Sequence, residues 1–343
     1  CQAAAVAPPS RTGALHCVCI LYHVPMRVVG LISGGKDSIW NLHYCRHFGH
    51  EVLCVANLAP PAGVNELDSY MYQTVGSDLI DAIAASLGLP LVRRVISGEP
   101  KGISSQDYIP QEGDEVEDLT LLLQDVLREH PGMQAVSCGA ILSNYQRVRV
   151  ENVCARLGLK SLAFLWMQEQ PRLLRQMIDG GLDARIVKVA SMGLEARHVG
   201  QSILTPSFSE YLLGLGRKWG VHVCGEGGEY ETMVLGAPLY GGSVRIVSSE
   251  TCAHPGGDQD GVAFLRVLEV SEDPSEDPPA RPPFQVLEPY SSLSYYQDTF
   301  ALLRPPWPAG HPAPPHGAPP WVAGPTAGAG AGGQGEGGPG QSP

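Results

Sequence analysis

The stretch that most limits what this chain can fold into is residues 26–38, MRVVGLISGGKDS. Val28-Val29-Gly30-Leu31-Ile32 is an apolar, largely β-branched run with the length of a buried strand. Ser33-Gly34-Gly35-Lys36-Asp37-Ser38 follows, and Ile39-Trp40-Asn41-Leu42-His43-Tyr44 then reads as helix. A strand that turns through small residues straight into a helix makes an anion site. The unpaired amide N–H groups and the positive end of the helix dipole face whatever sits in the turn. Gly34 and Gly35 allow close backbone approach to a phosphate, Lys36 adds a mobile positive charge, and Ser33 and Ser38 supply hydroxyls.

The loop is neither G-x-x-x-x-G-K-[ST] nor G-x-G-x-x-G. S-G-G-K-D-S resembles instead the pyrophosphate loop of the ATP-pyrophosphatase superfamily, whose members typically cleave ATP to AMP and pyrophosphate and so activate an oxygen nucleophile. The plain alternative is an ordinary strand–turn–helix joint with a chance Gly-Gly pair.

From Met26 to about Trp166, apolar runs at 27–32, 51–58, 91–96, 134–138 and 162–166 alternate with helical stretches at 38–48, 74–87, 116–130 and 145–157. This alternation predicts an α/β fold, a doubly wound and mostly parallel sheet with helices on both faces. Ligands of such sheets sit beyond the carboxyl ends of the strands, where strand order reverses. Asn57, at the end of the second strand, is by that geometry a candidate to border a nucleotide base. The polar, aromatic run Glu66–Gln73 holds Tyr70, Tyr72 and Gln73, which either pack on the sheet or cover nucleotide or substrate. Residues 112–118, EGDEVED, put acidic groups where the next helix dipole favours them. Gly139–Arg147 repeats the pattern of the first loop: strand end, glycine, small residues, helix. Gly139 and Arg147 are therefore candidate nucleotide contacts. Arg149, two residues further along and on another side of the helix, is expected to be a solvated or salt-bridged surface group.

After Trp166 the pattern changes to a helix at 171–180, a strand at 184–190, an irregular segment around 192–206, a helix at 208–219 and a strand over Val221–Cys224. Gly225-Glu226-Gly227-Gly228-Glu229-Tyr230-Glu231-Thr232 comes next. Three carboxylates and three glycines in eight residues pack poorly, because glycine loses most entropy on ordering and like charges repel. Such a loop suits the presentation of Glu226, Glu229 and Glu231 to Mg2+, to an ammonium group or to a nucleophile needing deprotonation; the plain alternative is an acidic, solvent-exposed turn. His222-x-Cys224 reads as ordinary strand residues rather than half a metal site. Runs at 243–250 and 262–270 predict strands of a smaller C-terminal α+β subdomain.

Composition narrows the functional classes. A net charge of −12 argues against a broad grip on nucleic acid, and no direct nucleic-acid contact is expected. Nine cysteines without a C-x-x-C pair imply a reducing, cytoplasmic setting, with Cys45, Cys54, Cys138 and Cys154 acting as small hydrophobes. No apolar run reaches the ~18 residues of a membrane span. Residues 1–25 lack the charged start and cleavage pattern of a signal peptide, and Met26 is expected to be the natural start. Cys17 and Cys19 are not expected to bind metal, for want of a partner pair. The tail, 271–343, turns acidic and then almost wholly Pro, Gly and Ala, a composition that cannot bury enough surface to order itself.

Taken together, S-G-G-K-D-S (33–38), E-L-D-S-Y-M-Y-Q-T-V-G (66–76), G-D-E-V-E-D-L (113–119), G-A-I-L-S-N-Y-Q-R-V-R-V-E-N-V-C (139–154) and H-V-C-G-E-G-G-E-Y-E-T (222–232) resemble, in this order, the diphthine–ammonia ligase family. The resemblance covers roughly 26–270 and leaves 1–25 and the tail outside it. It implies a nucleotide-binding domain at 26–166 and a substrate-binding subdomain at 167–270. It implies an ATP- and Mg2+-dependent ligase that amidates diphthine on elongation factor 2 with ammonium, releasing AMP and pyrophosphate through an acyl-adenylate. Ser33, Gly34, Gly35, Lys36, Asp37 and Ser38 would take the ATP phosphates, Lys36 and Asp37 also serving catalysis. Glu226, Glu229 and Glu231 would guide ammonium or the diphthine end, with Tyr70, Tyr72, Gln73, Gly227 and Gly228 near the substrate. Asn144 stands where aspartate is common in the family. Two other readings compete: an adenylating enzyme of the same superfamily acting on tRNA, and an inactive nucleotide-binding form.

Overall fold

Val28 and Val29 are completely buried, and the strand they form, β1 (Arg27–Leu31), is the middle strand of a parallel sheet. The computed structural model describes residues 25–64, 66–103, 107–253 and 261–273. The extension at 1–24 with Cys17 and Cys19, and the tail from 274 onward, lie outside the described residues. β1 is flanked by β2 (Glu51–Ala59) and β3 (Leu91–Val95) on one side and by β4 (Ala135–Ser137) and β5 (Lys160–Leu162) on the other, in the order β3-β2-β1-β4-β5. Every pairing is parallel. The chain runs outward from β1 to β3 and then returns to β4, so strand order reverses between β1 and β4. Ligand crevices of α/β sheets form at such a reversal.

Helices α1 (Lys36–His47), α2 (Ile80–Leu87), α3 (Glu115–Glu129) and α4 (Asn144–Leu157) connect these strands. Asp114 caps α3 by accepting from Val116 N at 3.0 Å, so the acidic run does sit where that helix dipole favours it. α1 is fastened across the sheet by Asn41, which is fully buried. Its Nδ2 donates to Ser137 Oγ (2.7 Å) and Leu162 O (2.8 Å), and its Oδ1 accepts from Phe164 N (2.8 Å).

The C-terminal half adds α5 (Gln170–Asp179), β6 (Asp183–Val189), α6 (Pro206–Trp219), β7 (Tyr230–Gly236), β8 (Ser243–Ala253) and β9 (Ala263–Asp273). Its four strands pair antiparallel in the order β7-β6-β9-β8. One hydrophobic core runs through both sheets, from Met26 and Val28 to Ile186, Met233 and Phe264.

Three expected elements differ. The helix expected at 74–87 is a 3-10 turn, Ser77–Leu79, leading into α2, because Gly76 at φ +82° interrupts helical backbone. The strand expected at 162–166 is instead β5 at 160–162 followed by a turn, since Asn41 takes the Phe164 N–H and Trp166 N bonds Ala163 O. Val221–Cys224 is not a strand. Val223 N donates to the Gln170 side chain, Tyr230 OH donates to Val223 O, and Lys36 donates to Cys224 O, so these backbone groups serve side chains and not a ladder. The strand lies further on, as β7.

Asn41→Ala would strip Phe164 N of its acceptor and take one donor each from Ser137 Oγ and from Leu162 O, which keeps Cys138 N. We expect a loss of about 2–4 kcal/mol of folding stability, measurable by urea denaturation.

Candidate nucleotide and substrate site

The loop after β1 and the loop after β4 meet at the strand-order reversal. A Cβ on Gly139 would lie 2.7 Å from the backbone of Asp37 and Ser38, so only glycine lets the second loop sit directly on the start of α1. The first loop is internally braced. Ser33 Oγ accepts from Gly35 N (3.3 Å), and Ser38 Oγ donates to Gly35 O (3.0 Å). Gly34 takes φ +79°, and a Cβ there would lie 2.5 Å from Met233 Sδ. A Cβ on Gly35 would lie 2.9 Å from Gln73 Oε1 and 3.2 Å from Thr232 O.

Strand β7 holds this loop from the other sheet. Val234 N donates to Gly34 O (2.9 Å) and Lys36 N donates to Thr232 Oγ1 (3.1 Å). Gln73 Nε2 donates to Thr232 O (3.0 Å), tying the 66–73 run to the same strand. Lys36 is only 2% exposed. Its Nζ donates to Asp37 Oδ2 (2.9 Å) and to Cys224 O, and lies 5.1 Å from the Tyr230 ring centroid. Asp37 Oδ1 is buried without a hydrogen-bond partner among the described residues.

The three glutamates do not converge. Glu226 reaches the second loop, where its two carboxylate oxygens accept from Ile141 N and Leu142 N. Burial raises its pKa, the Ile141 amide opposes the rise and the Asp37 charge adds to it. His222 lies beneath it: Nδ1 accepts from Glu226 N (3.3 Å) and Nε2 is 3.7 Å from Glu226 Oε2. Burial first and Lys36 second lower the His222 pKa, favouring the neutral ring. Glu229 closes its own turn, accepting from His222 N (3.2 Å) and Gly227 N (2.6 Å). Glu231 points to another cluster, in which Lys188 Nζ lies 2.6 Å from Glu66 Oε1 and 3.5 Å from Glu231 Oε1. Burial pushes the Glu231 carboxyl up to about 7, with Lys188 opposing the shift and Glu66 adding to it.

Other candidates are distributed as follows. Asn57 is buried and internally engaged, donating to Ile32 O (2.9 Å) and accepting from Arg93 Nε (3.0 Å), so it braces the end of β1. Arg147 pairs with Glu151 at 2.9 Å and lies 4.7 Å over the Trp166 ring. Arg149 corrects the expectation of a surface group. It is 1% exposed, its guanidinium stacks 3.4 Å from the Tyr145 ring centroid, and it donates to Gly102 O. Tyr72 OH donates to Glu115 O (3.1 Å), whereas Tyr70, Gly227 and Gly228 face solvent. Thr232, Tyr230, His222 and the Cys224 carbonyl are site groups that sequence reasoning did not assign. The alternation of Tyr230 and Thr232 in β7 is the one signal that puts both on a single face. Cys224 itself is buried, its thiol directed at Gln170 O and its pKa raised by burial.

The phosphate loop at the reversal of a doubly wound parallel sheet defines an α/β nucleotide-binding protein of the ATP-pyrophosphatase type. Comparison narrows the class. Residues 26–161 match the family model for the diphthamide synthase N-terminal domain, and 169–257 that for the diphthamide synthase C-terminal domain. The chain is 51% identical over 255 residues to the diphthine–ammonia ligase of Danio rerio, covering 73% of this chain and 98% of that protein. It is 49% identical over 249 residues to the Homo sapiens protein of the same name, covering 71% and 92%. Against the Schizosaccharomyces pombe diphthine–ammonia ligase it is 48% identical over 251 residues, 73% of this chain but 40% of that longer protein. The chain belongs to the diphthine–ammonia ligase family.

Two outcomes are expected. Gly139→Ala should cost about 1–3 kcal/mol in thermal or chemical melts, because backbone and not a flexible side chain must yield. Glu231 favours the fold when protonated, since its folded value of about 7 exceeds the ordinary 4.5. That contribution is complete below about pH 4.5 and lost as the pH rises through 7. The melting temperature of the native chain, relative to Glu231→Gln, should therefore fall across that interval.

Proposed function

We propose that this chain catalyses the ATP-dependent amidation of diphthine on elongation factor 2, with ammonium as nitrogen donor and AMP and pyrophosphate as co-products. Family membership supports the reaction, and one observation carries its placement: β7, which leaves the acidic turn, is bonded to the phosphate loop through Thr232 and Val234. Acceptor and nucleotide chemistry thereby share one site. A carboxylate oxygen of the acceptor attacks the α-phosphorus of ATP and pyrophosphate leaves. Ammonia then attacks the acyl carbon and AMP departs with the C–O bond electrons. Adenylation is needed because an oxide is a poor leaving group.

Ser33, Gly34, Gly35, Lys36 and Ser38 hold the phosphates in this reading, with Gly139 packing the second loop against them. Arg147 contributes when its guanidinium leaves Glu151. Mg2+ fits the donor set: Asp37 offers a hard carboxylate oxygen with no hydrogen-bond partner among the described residues, and Mg2+ ordinarily takes one or two carboxylates beside substrate phosphates. When bound, it would offset charge developing on the leaving pyrophosphate. Glu226 and Glu229 frame the acceptor side with Tyr70, Gly227 and Gly228. Glu231, with its raised pKa and a buried Oε2 that has no partner among the described residues, is suited to take a proton from ammonium. Residues 26–166 act as the nucleotide-binding domain and 167–270 as the substrate-binding part. The thiols suit a reducing cytoplasm; among the described residues, no helix is long and apolar enough to cross a membrane.

The test is direct. The full chain is incubated with ATP, Mg2+, ammonium and diphthine-bearing elongation factor 2, and the modified histidine is followed by mass spectrometry. The expected product is lighter by the difference between a hydroxyl and an amino group, with AMP formed in step. AMP release without that mass change would move the search to another acceptor. Lys36→Met keeps the stem over Tyr230 but removes the charge. It should cost about 2–4 kcal/mol in kcat/KM, and unchanged turnover would refute the phosphate-loop assignment.

A further inference from the structure

Each of the three glutamates in the acidic turn has a different partner, and one of them reaches the second loop. Glu229 spends both oxygens closing its turn, and Glu231 lies beside the Lys188 ammonium. Glu226 instead reaches 84 and 85 residues back in sequence to the second loop, where both oxygens are received by consecutive amides, Leu142 N and Ile141 N. Those amides stand just before α4, which is already capped by Ser143 Oγ accepting from Gln146 N (3.3 Å). Amides in that position attract anions.

The carboxylate there is 9% exposed, and its nearest ionisable neighbour of basic type is His222 at 3.7 Å. A buried carboxylate held by backbone N–H groups, with no Lys or Arg ion pair among the described residues, occupies an anion position without the cation that buried charges usually require. Two residues earlier, the Cys224 carbonyl accepts from Lys36 Nζ. The same turn thus covers both groups best suited to receive phosphate: the amides of the second loop and the ammonium of the first.

We infer that Glu226 is a positioning residue whose carboxylate stands where a phosphate of ATP belongs. This rests on the nucleotide reading of the two loops given above. Arrival of the nucleotide displaces the carboxylate from Ile141 N and Leu142 N and frees Lys36 from Cys224 O. The released turn then swings its carboxylate toward the acceptor. Binding is ordered as a result, with nucleotide first and protein acceptor second, because the turn cannot serve both before ATP has arrived.

The test uses the full chain and two probes, inorganic pyrophosphate and α,β-methylene ATP, in titration calorimetry. If Glu226 competes with the nucleotide, the apparent affinity is lowered by the fraction of molecules in which the amides are free. Glu226→Gln and Glu226→Ala should then bind both probes about three- to thirtyfold more tightly than the native chain. Hydrogen exchange of the native chain needs no substitution and guards against a misfolded variant. On adding the methylene analogue, residues 222–229 should lose protection while 139–143 keep theirs. Equal or weaker probe affinity in folded variants, or unchanged exchange at 222–229 on saturation, would overturn the proposal while leaving nucleotide binding intact. Failure of native chain and variants alike to bind either probe would overturn the nucleotide reading and this proposal with it.

Discussion

The site depends on the contact between β7 and the phosphate loop. The loop backbone is held by two hydrogen bonds from another sheet, Val234 N to Gly34 O and Lys36 N to Thr232 Oγ1, while Met233 fills the space a Gly34 side chain would need. A phosphate loop on a bare parallel sheet is braced only by its own strand and helix. Here the antiparallel sheet supplies the missing wall, and a single hydrophobic core makes the two sheets one mechanical body. Cooperative unfolding of both halves follows, because neither sheet can leave without stripping the cover from Gly34 and Met233.

Much of the parallel half was legible in the sequence because its determinants are local. Val28 and Val29, the glycine pair and the helix that follows are contiguous, and their strand–turn–helix order is enforced within a dozen residues. Alternating strands and helices imply the parallel sheet, though not which strands its reversal falls between. What stayed hidden is non-local. Nothing near Gly34 announces Met233, and nothing near Asn41 announces Phe164 and Ser137. Val221-His222-Val223-Cys224 alternates as a strand does, yet its hydrogen-bonding groups are claimed by Gln170, Tyr230 and Lys36.

The candidate residues divide in the same way. Ser33 to Ser38 form the turn between β1 and α1 that their pattern predicts, whereas the acidic turn looked like one carboxylate cluster and is three separate devices. Alternation along β7 turns Glu231 away from Tyr230 and Thr232, and glycines let Glu229 fold back on Gly227. Arg149 looked like a surface cation because, two residues from Arg147, it lies on another side of the helix. Tyr145, one helical turn earlier, offers a ring face that buries the guanidinium.

Cys224 carries a consequence of a different kind. Its thiol is buried beside the backbone that covers Lys36, and burial keeps it protonated, the state in which sulfur neither alkylates nor oxidises readily. The same holds for Cys45, Cys54, Cys138 and Cys154, all buried with raised pKa values. Cys45 and Cys154 lie in helices, Cys54 inside β2 and Cys138 just past the end of β4, whereas Cys224 sits in the turn over the phosphate loop. The folded chain therefore carries a latent chemical reporter at its own centre, silent while the turn is shut and open to reagent whenever that turn lifts.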